Sequence, residues 1–170
     1  VGHYIVQLAK MRGARVFGTA GAADKQAHAL SAGVDVLLNY KTDSVAERIK
    51  ADTQGQGVDV IIDMDLSTTT QYVAAGALKA HGVWVCYGSN ALEVPLAFRT
   101  CLYASIDLRF FLVYDLKPAD RARCQQELQD LLLGQKLQHS IGPRFALSDI
   151  VKAHEAVEGG RVVGNVVIDL

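Results

Sequence analysis

The sequence predicts an α/β fold in which a doubly wound parallel sheet is covered by helices on both faces. Short, continuously apolar runs, typical of buried strands, alternate with longer segments whose apolar residues recur at helical spacing. Hydrophobic residues make up 50% of the 170 residues, which is enough for a substantial core. Because strands that are apolar on both faces need cover on both sides, the alternation predicts helical crossovers between parallel strands.

The opening helix is predicted by apolar residues at helical spacing. These residues are Ile5, Val6, Leu8, Ala9 and Met11. Gly13 is a natural stop just beyond them, because glycine readily adopts the left-handed conformation that follows many helices. The run 14–19 then predicts the first strand of this chain.

The same alternation continues to the end of the chain. Further strands are predicted over residues 34–39, 58–63, 83–87, 106–114, 140–145 and 162–169. Helices are predicted between them over residues 22–31, 44–51, 69–78, 97–104, 119–133 and 148–157. Turns are expected at Gly33, at Gly55-Gln56-Gly57, at Ala80-His81-Gly82 and at Gly159-Gly160.

Several helix ends carry local signals. Either Asp43 or Ser44 is a suitable N-cap for the third helix, and Ser148 is one for the last helix. Pro118 opens the long helix in its first turn, where the missing N–H costs nothing. That helix also carries an apolar stripe, which predicts one buried face. The stripe comprises Cys124, Leu128, Leu131 and Leu132.

Composition excludes several functional classes as first hypotheses. The net charge is −1, with Lys and Arg scattered along the chain, so no basic stripe suggests a nucleic-acid partner. No apolar run approaches the roughly 18 to 20 residues that would cross a bilayer. The three widely spaced cysteines form no CxxC pair and favour a reducing compartment, so we expect a cytoplasmic protein.

The first candidate site is the start of the opening helix. Unpaired N–H groups and the helix dipole favour anionic oxygens there, as in folds that hold a dinucleotide pyrophosphate. Val1-Gly2 stands where the last part of a GxGxxG-type loop would lie, with Gly2 allowing the helix to pack closely on a strand. We expect the rest of that loop and its strand to precede Val1.

The end of the second strand of such a fold indicates which dinucleotide is preferred. NAD-specific folds place a carboxylate there to bind the ribose hydroxyls. This sequence instead has Thr19 and Gly21, with no acidic residue until Asp24. The uncharged rim leaves room for a 2′-phosphate, and Lys25 and Tyr40 could supply a charge and a hydroxyl. The pattern favours NADP(H) over NAD(H).

Motifs across nearly the whole chain occur in an order and spacing that resemble one family. They are Val1-Gly2 with Ala9-Lys10, Gly13-Ala14-Arg15-Val16, Gly18-Thr19, Gly33-Val34-Asp35, Asn39-Tyr40-Lys41, Gly57-Val58-Asp59-Val60 with Asp63, Tyr87-Gly88-Ser89, Ala153-His154-Glu155-Ala156 and Gly164-Asn165-Val166-Val167. Together they resemble the cofactor-binding, Rossmann-type domain of the quinone oxidoreductase (zeta-crystallin-like) branch of the medium-chain dehydrogenase/reductase superfamily.

The resemblance implies NADPH-dependent, zinc-independent reduction of a quinone or an activated alkene. It implies that Lys25 and Tyr40 hold the 2′-phosphate, that Tyr87, Gly88 and Ser89 flank the nicotinamide, and that Arg161 reaches the phosphate. It also implies two domains, with residues 1–136 as the cofactor-binding domain and residues 137–170 as a return segment of a catalytic domain. That domain would precede this chain and hold the catalytic residues, so we expect no hydride transfer from the chain alone.

Two positions depart from the family pattern. Asp63-Met64-Asp65-Leu66 stands where relatives have Asp-x-Val-Gly, so loss of that glycine could crowd the backbone near the cofactor, and Asp65 adds a charge. Asn165 replaces a frequent lysine, with little expected consequence at the surface.

Other functions have less support in the sequence. The histidines and cysteines lack zinc-ligand spacing, and Gly88-Ser89-Asn90 is not a GxSxG nucleophile elbow. A methyltransferase would carry an acidic residue where Thr19-Ala20-Gly21 stands. Two alternatives stay open, namely an enoyl reductase of the same superfamily and a non-catalytic NADPH-binding protein.

The predicted strand 106–114, which begins at Ile106 and ends at Tyr114, would be the last strand of the sheet. An exposed apolar edge of this kind invites pairing with a second copy across a two-fold axis. The sequence therefore predicts a homodimer.

Overall fold

The computed structural model describes residues 1–160 and 162–170, and every strand pairing in that part of the chain is parallel. The strands are β1 (Phe17–Thr19), β2 (Val36–Leu38), β3 (Val58–Asp63), β4 (Leu78–Cys86), β5 (Asp107–Phe110), β6 (Ile141–Ala146) and β7 (Asn165–Asp169). The helices are α1 (Gly2–Met11), α2 (Ala23–Ser31), α3 (Val45–Asp52), α4 (Leu66–Ala74), α5 (Phe98–Tyr103), α6 (Pro118–Leu133) and α7 (Ile150–Glu158). The predicted parallel α/β organisation is confirmed.

The chain forms two compact units. The first unit combines Val1–Asn39 with Gln125–Leu170, and the second unit is Tyr40–Cys124. The first unit contains the parallel pairs β1-β2 and β6-β7, and the second contains a three-stranded sheet in the order β3-β4-β5. The boundary between a cofactor domain and a return segment at residue 136 stays a prediction.

The core of the second unit is built around Trp84. This side chain is fully buried on the central strand β4 and packs with Leu66 and Val73 of α4. Its indole Nε1 donates a hydrogen bond of 3.1 Å to Oδ2 of Asp63, a buried carboxylate at the end of β3. The core therefore includes a polar contact directly beneath the β3–α4 connection.

Polar side chains tie the helices of the first unit to neighbouring segments. Lys10 of α1 forms a salt bridge of 2.7 Å with Asp35, whose Oδ2 also accepts from the backbone N–H of Val16. The buried Gln7 donates to the carbonyl of Gln138 and accepts from its N–H. These contacts hold α1 against the entry to β2 and against the segment that follows α6.

The predicted helix 69–78 and strand 83–87 correspond to α4 and β4, but their predicted bounds are wrong. Helix α4 begins at Leu66 and ends at Ala74, because Gly76 turns the chain with φ +84°, and β4 already begins at Leu78. The predicted turn Ala80-His81-Gly82 lies inside β4. It forms an irregularity there, because Val58 pairs with Leu78 whereas Val60 pairs with Val83.

The predicted strand 106–114 is shorter than expected. Strand β5 covers only Asp107–Phe110, and a 3₁₀ turn follows at Val113–Asp115. Its four residues pair with Val83 to Cys86, and Phe111 N donates to the Cys86 carbonyl in the last contact of the ladder. Since β4 ends at Cys86, residues beyond Phe111 have no strand to pair with.

Two further expectations are wrong. No α6 side chain among the described residues is buried, and Cys124, Leu128 and Leu132 of the predicted buried stripe are exposed. An apolar pattern on a helix identifies a face but not what covers it. Helix α7 begins at Ile150, because residues Leu147–Asp149 form a 3₁₀ turn, so Asp149 and not Ser148 is its N-cap. Ser44 is the N-cap of α3, one of the two predicted residues.

Within the described part of the chain, no helix has both the length and the apolar character needed to span a membrane.

Candidate functional site

The start of α1 is open to an anion. No acidic residue lies in its first turn and no side chain caps it, while the Val1 carbonyl accepts from the N–H groups of Tyr4 and Ile5. A Cβ at Gly2 would meet nothing within 4 Å. The close packing predicted for Gly2 involves a strand expected before Val1, so it stays a prediction. The helix start retains the space and the dipole that favour a phosphate.

Three predicted residues lie together on the connection that follows β1. Thr19 ends the strand, Gly21 lies in the turn, and Lys25 is in the first turn of α2. Ala20 N donates to the Leu38 carbonyl at 3.0 Å, which anchors this connection to β2. Lys25 is exposed and forms no salt bridge within residues 1–160 and 162–170. The connection that follows β1 thus carries Thr19, Gly21 and Lys25, with Asp24 in the same first turn of α2, and their contact with a 2′-phosphate stays a prediction.

Tyr40 belongs to the second unit, so its pairing with Lys25 over one phosphate stays a prediction. Its side chain is 49% exposed. Burial, and secondarily the nearby Tyr40, raise the pKa of Tyr72 on α4. Tyr40 is thus a half-exposed phenol near Tyr72 of α4.

The carboxyl ends of β3 and β4 are joined through their backbones. Tyr87 N donates to the Asp63 carbonyl at 2.9 Å, and Leu66 N donates to the Gly88 carbonyl at 3.1 Å. A Cβ at Gly88 would lie 2.6 Å from the Met64 carbonyl oxygen, so only glycine fits without a backbone shift. The three predicted residues Tyr87, Gly88 and Ser89 are therefore held directly against the β3–α4 connection.

The buried carboxylate of Asp63 holds this junction through hydrogen bonds. Its Oδ1 accepts from Asp65 N at 2.7 Å and from the Thr69 hydroxyl at 2.9 Å, while Oδ2 accepts from Trp84. The carboxylate also contributes, after burial, to raising the pKa of Tyr87. Each carboxylate oxygen has a donor, which is the usual condition for burying such a group.

Asp65 links the two connections a second time. Its carboxylate accepts from the hydroxyls of Ser67 and Thr68, from Asn90 N at 3.2 Å and from Asn90 Nδ2 at 2.9 Å. The hydrogen bonds from Ser67 and Thr68, with those from Asn90, hold the pKa of Asp65 well below its usual range. Asp65, the added charge that departs from the family pattern, is thus a hydrogen-bonded part of the junction.

No local sequence pattern marks Asn90, Trp84 or Thr69 as a site residue. The one available signal was topological, because residues after neighbouring parallel strands meet at the same edge of a sheet. Arg161, predicted to reach the phosphate, lies outside the described residues. Asn165 is exposed at the start of β7, as expected, and its N–H donates to the Ser140 carbonyl.

A shallow cleft of about 390 Å³ lies elsewhere, beside β6 and α7. Its lining residues are Pro143, Glu155, Ala156, Gly159, Val162 and Val163. The cleft thus belongs to the predicted return segment, and those predicted site residues that the structure describes lie outside this lining. In the described part of the chain, no three His, Cys, Asp or Glu side chains come together as metal ligands. Zinc independence of the whole protein stays a prediction.

Comparison with known proteins gives a family match over most of the chain. The family model described as zinc-binding dehydrogenase matches residues 1–132. A quinone oxidoreductase from Salmonella typhimurium is 29% identical over 173 residues, which cover 97% of this chain and 52% of that protein. A 2-haloacrylate reductase from a Burkholderia species is 26% identical over 176 residues, covering 99% of this chain and 52% of that protein.

A solved structure is also similar to this chain over nearly its whole length. A mycobacterial protein in complex with NADPH is 28% identical and superimposes with a TM-score of 0.83 over 99% of this chain and 54% of its own. The chain therefore spans about half the length of the relatives it matches.

Proposed function

The chain belongs to the zinc-binding dehydrogenase family, and from this premise we propose that it is the NADP(H)-binding part of an oxidoreductase that reduces a quinone or an activated alkene. Its resemblance to the quinone oxidoreductases of the medium-chain dehydrogenases is confirmed by relatives and by solved structures with that name. NADPH in a structural relative supports the cofactor assignment.

The observation that carries the proposal is the junction at the carboxyl ends of β3 and β4. Open α/β sheets bind ligands beyond the carboxyl ends of their strands. Here Gly88 brings one connection into backbone contact with the next, and we propose that the nicotinamide ring binds against these two connections. Within the first unit, the open start of α1 and the end of β1 with Lys25 also suit the phosphates of such a cofactor.

Bound NADPH would supply a hydride to an electron-poor carbon of the substrate. The residues of this chain contribute binding and orientation. The N–H groups at Val1-Gly2 hold the pyrophosphate, Thr19 and Gly21 leave room for the adenosine ribose, and Lys25 and Tyr40 contact its 2′-phosphate. Tyr87, Gly88 and Ser89 orient the nicotinamide, and Arg161 provides a further cation for the phosphate. The catalytic residues belong to a preceding domain, so hydride transfer requires the full protein.

Turnover tests this function against its alternatives. We expect the full protein to bind NADPH and to oxidise it in the presence of a quinone or an enone. Binding with no oxidation across panels of both substrates would favour a non-catalytic NADPH-binding protein. The 2-haloacrylate reductase relative favours the activated-alkene branch of the proposal. Oxidation with enoyl thioesters only would support the enoyl reductase alternative.

Lys25→Ala is expected to reduce the preference for NADPH over NADH. The substitution removes a charge-assisted contact to the 2′-phosphate, so the difference between the two binding free energies should fall by about 1 to 3 kcal/mol. Titration calorimetry with both cofactors measures this difference. Lys117→Ala, which removes another exposed lysine, serves as the control and should leave it unchanged. Equal affinity of the unmodified protein for NADPH and NADH would contradict the assignment.

We also propose a homodimer formed through the segment 106–114. Strand β5 is an edge strand whose outer side has no partner in the described chain. Phe110, Leu112 and Tyr114 are 72%, 61% and 85% exposed. Pairing with a second copy would bury these side chains and complete the ladder. Light scattering should give twice the monomer mass, and Phe110→Lys should halve it. A monomeric mass for the unmodified protein would contradict the proposal.

We further propose that the protein is cytoplasmic and that its partner is a small molecule. We propose neither a nucleic acid nor a membrane as a partner. Cys86, Cys101 and Cys124 are free thiols, which agrees with a reducing compartment.

A further inference from the structure

Asp65 is the N-cap residue of α4, but its side chain does not cap the helix. An N-cap aspartate ordinarily accepts a hydrogen bond from a backbone N–H in the first turn of its helix. At the start of α4 the Asp65 side chain makes no such bond, and the Thr68 and Thr69 N–H groups bond instead to its backbone carbonyl. The carboxylate is directed towards Asn90 on the connection that follows β4.

The negative charge of Asp65 has no counter-ion. Its partners are two hydroxyls, one backbone N–H and one side-chain amide, all of them neutral donors. Within residues 1–160 and 162–170, Asp65 forms no salt bridge. By contrast, Asp59 at the other end of β3 is paired with Lys79. Asp65 thus adds a fixed carboxylate to the β3–β4 junction beside the buried Asp63, and neither side chain forms a salt bridge within the described residues.

These bonds also determine what the carboxylate can do. A carboxylate has about four lone-pair positions, and four donors occupy them here. Asp65 has little capacity left to accept a ribose hydroxyl directly. Asp65 can still act on a neighbouring ligand through its charge. The position of that charge is fixed, because residues of two connections donate hydrogen bonds to the side chain.

We infer that Asp65 determines the redox-state preference of the site, favouring the oxidised nicotinamide cofactor over the reduced one. The inference rests on the proposed function, which assigns Tyr87, Gly88 and Ser89 to the nicotinamide end. The oxidised ring is positively charged and the reduced ring is neutral, whereas the phosphates, riboses and adenine are the same. A fixed anion at this junction therefore attracts one form more than the other.

The test compares the affinities of NADP⁺ and NADPH for the full protein by titration calorimetry. Asp65→Asn keeps the shape of the side chain and removes the charge. We expect it to weaken NADP⁺ relative to NADPH by about three- to tenfold, the size of a partly screened charge–charge interaction. Loosening of the loop would affect both forms equally and cancels in the ratio. Asp59→Asn, at the far end of β3 from this junction, should leave the ratio unchanged.

The outcomes separate this inference from the proposed function. If both forms bind the unmodified protein and Asp65→Asn leaves their ratio unchanged, the inference is wrong and the function stands. If neither form binds, both are wrong. Should Asp65→Asn not fold, the unmodified protein decides the question: raising the salt concentration should shift the ratio towards NADPH. A ratio that does not change with salt would overturn the inference.

Discussion

Trp84→Ala should lower the free energy of unfolding by about 3 to 5 kcal/mol, the usual cost of truncating a large aromatic side chain in a core. Trp84 is 0% exposed and packs with Leu66 and Val73 of α4. The substitution would also remove the donor to Oδ2 of the buried Asp63, which leaves a buried acceptor unsatisfied. Because Trp84 is the one tryptophan of the chain, urea unfolding should be followed by circular dichroism.

Two controls separate the volume of Trp84 from its hydrogen bond. Trp84→Phe keeps much of the apolar volume but removes the Nε1–H donor, so its cost should be smaller than that of Trp84→Ala. Tyr114→Ala removes an aromatic side chain that is 85% exposed, and should change the stability of the monomeric form by less than about 0.5 kcal/mol. A loss below about 1 kcal/mol for Trp84→Ala would contradict the description of this core.

Gly88→Ala should reduce NADPH affinity by at least about tenfold and lower stability by about 1 to 3 kcal/mol, the range for overpacking at a close contact. The added Cβ would lie 2.6 Å from the Met64 carbonyl oxygen, so the two connections would have to separate. That movement would break the bond from Leu66 N to the Gly88 carbonyl and displace the surface proposed for the nicotinamide. Calorimetric titration with NADPH and urea unfolding measure the two effects.

Gly55→Ala is the matched control for this prediction. Gly55 has φ +84°, so alanine is strained there, but its Cβ would meet nothing within 4 Å. We expect a loss of stability with NADPH affinity unchanged. If Gly88→Ala bound NADPH as tightly as the unmodified protein, the contact between the two connections would have no role in the site.

The elements that sequence reasoning placed well are those with strong local signals. Strand β3 matches the predicted residues 58–63, since it lies between a glycine turn and a polar end. Helix α6 begins at Pro118 and ends at Leu133, one residue earlier at its start than the predicted 119–133, because proline at a first turn is a clear local signal. The boundaries around β4 were missed, because no local signal shows that residues 80–82 remain within a strand.

The predicted site residues stay predictions, and local patterns place only some of them on one connection. Thr19, Gly21 and Lys25 follow one strand, so the strand–helix alternation alone placed them together. The link between Asp65 and Asn90 spans two connections that lie 25 residues apart, and nothing in their separate surroundings marks it. Lys25 and Tyr40 belong to different units, so their contact with one shared phosphate stays a prediction that the cofactor titrations test.

The sequence by itself determined the parallel α/β class, the order of most elements and the family, because periodicity, glycines and short motifs are local properties of the chain. The tertiary structure decided the bulged start of β4, the short β5 and the exposed face of α6. It also showed that Asp65, which departs from the family pattern, joins the β3–α4 connection to the connection that follows β4. These features depend on which distant segment supplies each backbone or side-chain partner. Local sequence patterns do not contain that information.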